Sequence, residues 1–106
     1  MSHEPQTPLL HEFGGTGPSI HLAHANGFPP GTYRLLARSL CHLYLPIAFP
    51  LRPLWPGSHP REAPSWHSLA DDLVQALDSL AITGIFGLGH SLGGVVTMLA
   101  AVRRPD

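Results

Sequence analysis

The chain has 106 residues, a length that suits one small domain and not two. Apolar residues make up 43%, enough for a core, and a formal charge of −1 gives no footing for nucleic acid or an anionic membrane as partner. The single cysteine, Cys41, excludes an internal disulfide, and no apolar run is long enough to span a membrane.

Met1–Pro8 is polar and proline-containing and reads as a loose terminus. Met1–Leu10 carries no charged-then-apolar leader pattern, so the expected setting is cytoplasmic. Leu9–Phe13 reads as a short strand, Gly14–Pro18 as a turn, and Ser19–Ala23 as the next strand. His24–Gly31 follows as a loop rich in glycine and proline. Thr32 opens a helix whose apolar stripe is Tyr33, Leu35, Leu36, Leu40 and Leu43. Cys41, at its end, is expected as a small core residue.

Tyr44–Phe49 is a further strand, with Pro46 counting against it. Pro50–Pro64 is a long irregular loop of the kind that often carries function. Ser65 is a good N-cap for a helix that puts Leu69, Leu73, Ala76, Leu77 and Leu80 on one face. Asp71 and Asp72 fall early in that helix and read as a solvated face. Ile85–Gly89 reads as a short buried strand, and Leu92 to about Arg103 as the last helix, with Arg103 and Arg104 at its C-terminus and Pro105 stopping it. Strands alternating with helices imply an α/β fold, a mostly parallel sheet with helices on both faces.

The eight histidines are scattered. They include no H-E-x-x-H and no companion cysteine pair, so neither a metal nor another cofactor is expected.

The chemistry concentrates at Gly89-His90-Ser91-Leu92-Gly93. A strand, a glycine turn carrying a serine, then a helix is the context that makes G-x-S-x-G a nucleophile elbow. So tight a turn strains the serine backbone and needs small residues at Gly89 and Gly93. The helix start aims N–H groups and its positive dipole end at the serine hydroxyl, where developing negative charge would be stabilised. Two other readings remain. Gly87, Gly89 and Gly93 also fit a variant dinucleotide fingerprint. The stretch could equally be a glycine-rich packing turn with an idle serine. A Walker A loop is excluded, since the chain has no lysine.

Two loops follow strand ends: His24–Gly31 and Gly89–Gly93. Together they resemble the α/β-hydrolase superfamily, where an H-G-x type loop precedes the first helix and the elbow reads G-H-S-x-G-G. Here these are His24-Ala25-Asn26-Gly27-Phe28-Pro29 and Gly89-His90-Ser91-Leu92-Gly93-Gly94, and Pro50-Leu51-Arg52-Pro53 falls where D-L-R-G is common. The resemblance implies a serine hydrolase with esterase-like chemistry on a small-molecule substrate. Ser91 is then the nucleophile, and the N–H of Leu92 is one oxyanion-hole donor. The second donor depends on register. Either His24 is the family histidine and Asn26 donates, or Asn26 takes that place, Gly27 is the family glycine and Phe28 donates. The G-F-P continuation favours the second. His90 is expected as a packed residue beneath the elbow.

The resemblance also implies what is missing. The family orders its triad as Ser, then Asp or Glu, then His. Residues 92–106 contain no histidine, and their one acid is Asp106. On this basis residues 1–106 are read as the N-terminal part of a single α/β-hydrolase domain, inactive alone, with Ile85–Gly89 left as an edge strand and Val95, Val96, Met98 and Leu99 partly exposed. The alternatives are a non-catalytic binding protein on the same scaffold and a dinucleotide-binding oxidoreductase fragment. Epoxide hydrolases and dehalogenases of this superfamily usually carry Asp as nucleophile, so Ser91 argues against those two chemistries.

Overall fold

The computed structural model describes residues 10–25, 27–51 and 65–105. The expected loose terminus, most of the Pro50–Pro64 loop, Asn26 and Asp106 lie outside them. The elements run β1 (His11–Glu12), β2 (Ser19–Ala23), a 3-10 turn (Pro30–Tyr33) continuing into α1 (Arg34–Leu40), β3 (Leu45–Ala48), α2 (Trp66–Ser79), β4 (Phe86–Gly89) and α3 (Leu92–Arg103). The four strands form one sheet in the order β1-β3-β2-β4. β3, β2 and β4 are parallel, and β1 is antiparallel to β3.

The sheet separates two cores. On one face α1 covers Ile20, Leu22 and Ala48, with Ala37 of the helix wholly buried against them. On the other, α2 and α3 bury Leu69, Ala70, Leu73, Ala76, Leu77, Val96 and Ala100 against Ile47 and Phe49. Residues of β2 alternate between these faces as a pleated strand requires. No helix among the described residues is long and apolar enough to cross a membrane.

Pro46 is compatible with β3 because of where its missing N–H falls. The register pairs His11 with Ala48 and Glu12 with Ile47. The next pair would be Phe13 with Pro46. The Phe13 N–H does donate to the Pro46 carbonyl at 3.2 Å. Proline cannot return that bond, so the antiparallel ladder stops at Glu12. The short β1 is thus set by the strand beside it.

Several sequence expectations need correction. The inward stripe of α1 is not the leucine-rich one: Leu35 and Leu43 are about three-quarters exposed, at 74% and 73%. Tyr33 and Leu40 of the expected stripe do face the sheet, and Ala37 takes the central place between them, because a small residue there lets the backbone approach closely. Cys41 is half-exposed at the end of α1, its Sγ donating to the Arg38 carbonyl, and is not a core residue. Leu80 lies past the end of α2 and is exposed. Asp71 is exposed but not merely solvated, since it pairs with Arg103 across the α2–α3 contact. β4 is exposed along its whole length, not buried, because among the described residues β2 is its one flanking strand. In α3, Met98 is exposed as expected, whereas Val96 is fully buried under α2.

Candidate active site

The chain passes from β2 through α1 to β3 on one side of β2, then through α2 to β4 on the other. The strand order reverses between β2 and β4, and loops leaving the carboxyl ends of two such strands enclose a crevice. The register Ala23↔Gly89 makes those ends level. The His90 N–H continues the pairing by donating to the Ala23 carbonyl at 3.0 Å. The two loops singled out in the sequence are therefore neighbours.

Ser91 links β4 to α3. It is exposed and has φ 55° and ψ −116°, a backbone conformation that costs a non-glycine residue on the order of 1–3 kcal/mol. Its hydroxyl makes no capping bond to the helix it starts. Among the first three N–H groups of α3, those of Gly93 and Gly94 donate back to the His90 and Ser91 carbonyls. Among the described residues the Leu92 N–H has no backbone acceptor in that turn, as helix starts dictate.

The flanking glycines are required by close approach. A Cβ at Gly89 would lie 2.5 Å from the Gly93 carbonyl oxygen and from Gly94 backbone atoms, the collision across the turn expected from sequence. A Cβ at Gly93 would lie 2.0 Å from the carbonyl oxygen of Ala23. The constraint on Gly93 thus comes from β2, which packs against the start of α3, and not from the turn itself.

The loop after β2 is anchored by its own hydrogen bonds. Phe28 donates to the Ala25 carbonyl at 3.1 Å, closing a turn with Gly27 at φ 82°. The Ala25 N–H donates to the Tyr33 hydroxyl at 2.9 Å. That hydroxyl lies 2.9 Å from His90 Nδ1. His90 is thus exposed and hydrogen-bonded above the sheet, not packed beneath the turn, because its backbone continues the β2 pairing and turns the ring toward Tyr33 and Phe28.

His24 and His21 are buried behind this loop. His24 Nε2 accepts the Leu51 N–H at 2.8 Å, so its proton sits on Nδ1, which donates to the Ala25 carbonyl at 2.8 Å. His21 Nε2 accepts the Phe49 N–H at 3.1 Å. Its Nδ1 is buried with no partner among the described residues. Burial, reinforced by neighbouring His24, lowers the His21 pKa to about 4. Burial also lowers that of His24, partly opposed by the bond to Ala25. Both imidazoles are neutral acceptors that pin the chain leaving β3. Among the described residues, no group of three or more His, Cys, Asp or Glu side chains is arranged to hold a metal.

Sequence reasoning missed Tyr33, which reads as one more apolar helix position. Its partner His90 is 57 residues away, and no local period reports such a contact. The signal for His21 was weaker still, a polar residue between Ile20 and Leu22 in β2, and His24 was singled out only as a possible family histidine and not as a buried acceptor.

No protein-family model matches the chain. It is 36% identical over 98 residues to Epoxide hydrolase 3 of Siraitia grosvenorii, covering 87% of this chain and 30% of that protein. It is 47% identical over 36 residues to Strigolactone esterase RMS3 of Pisum sativum, covering 34% of this chain and 14% of that protein. Among solved structures it superimposes on a marine microorganism esterase with a TM-score of 0.80 or better, namely 0.84, at 20% identity over 96% of this chain and 39% of the other. The chain belongs to the α/β-hydrolase superfamily. Its four-stranded sheet and flanking helices are a partial α/β-hydrolase fold, spanning well under half the length of these superfamily members.

Proposed function

We propose that this region carries the nucleophile and oxyanion loop of an esterase-like serine hydrolase, with Ser91 as nucleophile. The observation behind the proposal is the backbone of Ser91, strained and exposed at the start of α3 and level with the loop after β2. Close backbone packing at Gly89 and Gly93 maintains the strain, which in this reading directs the hydroxyl away from the sheet. Attack of Ser91 Oγ on an ester carbonyl would form a tetrahedral intermediate whose oxygen carries negative charge. The Leu92 N–H is available to stabilise it. Phe28 is the second donor in this reading, and its N–H must turn from the Ala25 carbonyl to the oxyanion, or be shared between them. Asn26, Gly27, Gly89, His90 and Gly93 shape the two loops.

Serine needs a base to act at neutral pH. His21, His24, His67 and His90 make their hydrogen bonds to Phe49, Leu51 and Ala25, Arg103, and Tyr33. The family's base follows the nucleophile, and residues 92–106 contain no histidine. Residues 1–106 alone are therefore expected to be inactive. The reading carries with it a small-molecule ester substrate, no cofactor and a cytoplasmic setting.

The relative named as an epoxide hydrolase raises epoxide opening as a second reading. Serine at position 91, where the resemblance associates that chemistry with aspartate, favours the ester. A phosphate-cradling glycine loop is disfavoured because the Gly93 and Gly94 N–H groups already have acceptors. The test is labelling of the full-length protein with a serine-directed phosphonate. Labelling abolished in Ser91→Ala supports the assignment, and labelling undiminished in that variant overturns it.

A further inference from the structure

We propose that Tyr33 is a positioning residue for this reaction, joining the loop after β2 to the turn before α3 through a relay from Ala25 to His90. The inference rests on the serine-hydrolase reading above. Its two oxyanion donors, Phe28 and Leu92, sit in separate loops, so something must fix the distance between them.

The relay has a direction. The Ala25 N–H donates to the Tyr33 hydroxyl, occupying one lone pair. The hydroxyl has one hydrogen to give, and His90 Nδ1 lies 2.9 Å away. Tyr33 donating there leaves His90 with its proton on Nε2. His90 is adjacent to Ser91 in the chain, and its own N–H is fixed on the Ala23 carbonyl. Its ring also meets the Phe28 ring, with centroids 5.9 Å apart and planes inclined at 60°. Tyr33 itself stands at the junction of the 3-10 turn and α1, on the side packed against the sheet, so its ring is held from below. One phenol therefore ties the loop holding Phe28 to the residue two before Leu92. Misplacing a reacting group by about 1 Å can cost on the order of 100-fold in rate. Tyr33 touches neither the nucleophile nor the oxyanion in this scheme, and acts through the two loops.

The test uses steady-state hydrolysis of p-nitrophenyl acetate by the full-length protein. Tyr33→Phe keeps the ring and removes both bonds. It is expected to lower kcat by about 10- to 100-fold with KM changed less than about twofold. His90→Leu breaks one end of the relay and should lower kcat less. His90→Asn places a carbonyl oxygen where Nδ1 lies and should recover most of the loss. The Tyr33→Phe/His90→Leu double variant should be no slower than Tyr33→Phe alone, as members of one relay behave. A purely structural tyrosine would give none of this: no rescue by Asn, and losses that multiply. Wild-type kcat in Tyr33→Phe, or multiplied losses in the double variant, would overturn the proposal. Should Tyr33→Phe fail to fold, equal kcat in His90→Leu and wild type overturns it instead. Turnover lost in Ser91→Ala but untouched in Tyr33→Phe removes the positioning role alone. Turnover that persists in Ser91→Ala removes both readings.

Discussion

His21 on β2, His24 just after it and His90 just after β4 lie on neighbouring stretches of chain, yet of the three water reaches only His90. The buried pair accept backbone N–H groups from Phe49 and Leu51 and have lowered pKa values because a charge there would be desolvated. His90 meets a phenol at the surface and lies beside the proposed nucleophile. The same side chain thus serves as a structural acceptor in one place and as part of an exposed relay in the other. Burial makes the difference: a buried N–H that loses its acceptor has no water to replace it.

Substituting one histidine from each set is the sharpest way to break this comparison. His24→Leu leaves the Leu51 N–H without its acceptor, while the Ala25 carbonyl keeps the Phe28 N–H, and should cost about 1–3 kcal/mol of stability at neutral pH. His90→Leu, at an exposed site, should change stability by less than about 0.5 kcal/mol. Denaturant unfolding of the two variants checks both values, and equal costs would erase the distinction.

The next effect is acid sensitivity. The unfolded chain protonates His21 near the ordinary histidine value of 6.5, whereas the folded chain resists protonation until about 4. Below pH 6.5 the unfolded state therefore binds more protons, and stability falls as pH drops toward 4. It is fully present above that window. The slope reaches up to ~1.4 kcal/mol per pH unit for each histidine that titrates in this way, and His24 adds in the same direction. His21→Gln places an amide oxygen near the Nε2 position, keeps an acceptor for the Phe49 N–H and should flatten the pH dependence of unfolding. An unchanged slope would mean the burial of His21 is not its source.

The smallest effect belongs to an exposed contact on the other side of the molecule. Asp71→Asn removes the pairing with Arg103, whose partners are 58% and 32% exposed. Surface pairs of this kind contribute about 0–1 kcal/mol, and Arg103 keeps its bonds to His67. A larger loss in thermal unfolding would show that the α2–α3 contact depends on charge more than on its apolar face.

Much of the fold was legible because local signals agreed with the long-range arrangement. Ser19–Ala23 was bounded by turn residues and forms β2 as read; Ser65 caps α2, its hydroxyl accepting the Ser68 N–H at 3.0 Å. Where the signals failed, a neighbour decided the outcome. The length of β1 depends on Pro46 in β3, a contact between strands. On α1 the apolar period places Tyr33 and Leu40 inward correctly but not Leu35, Leu36 and Leu43, since close approach to the sheet favours Ala37. The exposure of β4 follows from having one flanking strand, which apolarity in the sequence does not encode. In the site, the serine turn was legible because its glycines and serine are contiguous. The contacts of Tyr33, His21 and His24 were not, since their partners lie 57, 28 and 27 residues away.

Whether the loops after β2 and β4 form one catalytic site around Ser91 is tested most directly by a crystal structure of the full-length protein after reaction with a phosphonate. The expected structure has a covalent bond from phosphorus to Ser91 Oγ. A phosphoryl oxygen is expected about 2.7–3.1 Å from the N–H groups of both Leu92 and Phe28. An adduct on another residue, or a phosphoryl oxygen bound by the Asn26 N–H in place of Phe28, would contradict this reading of the site.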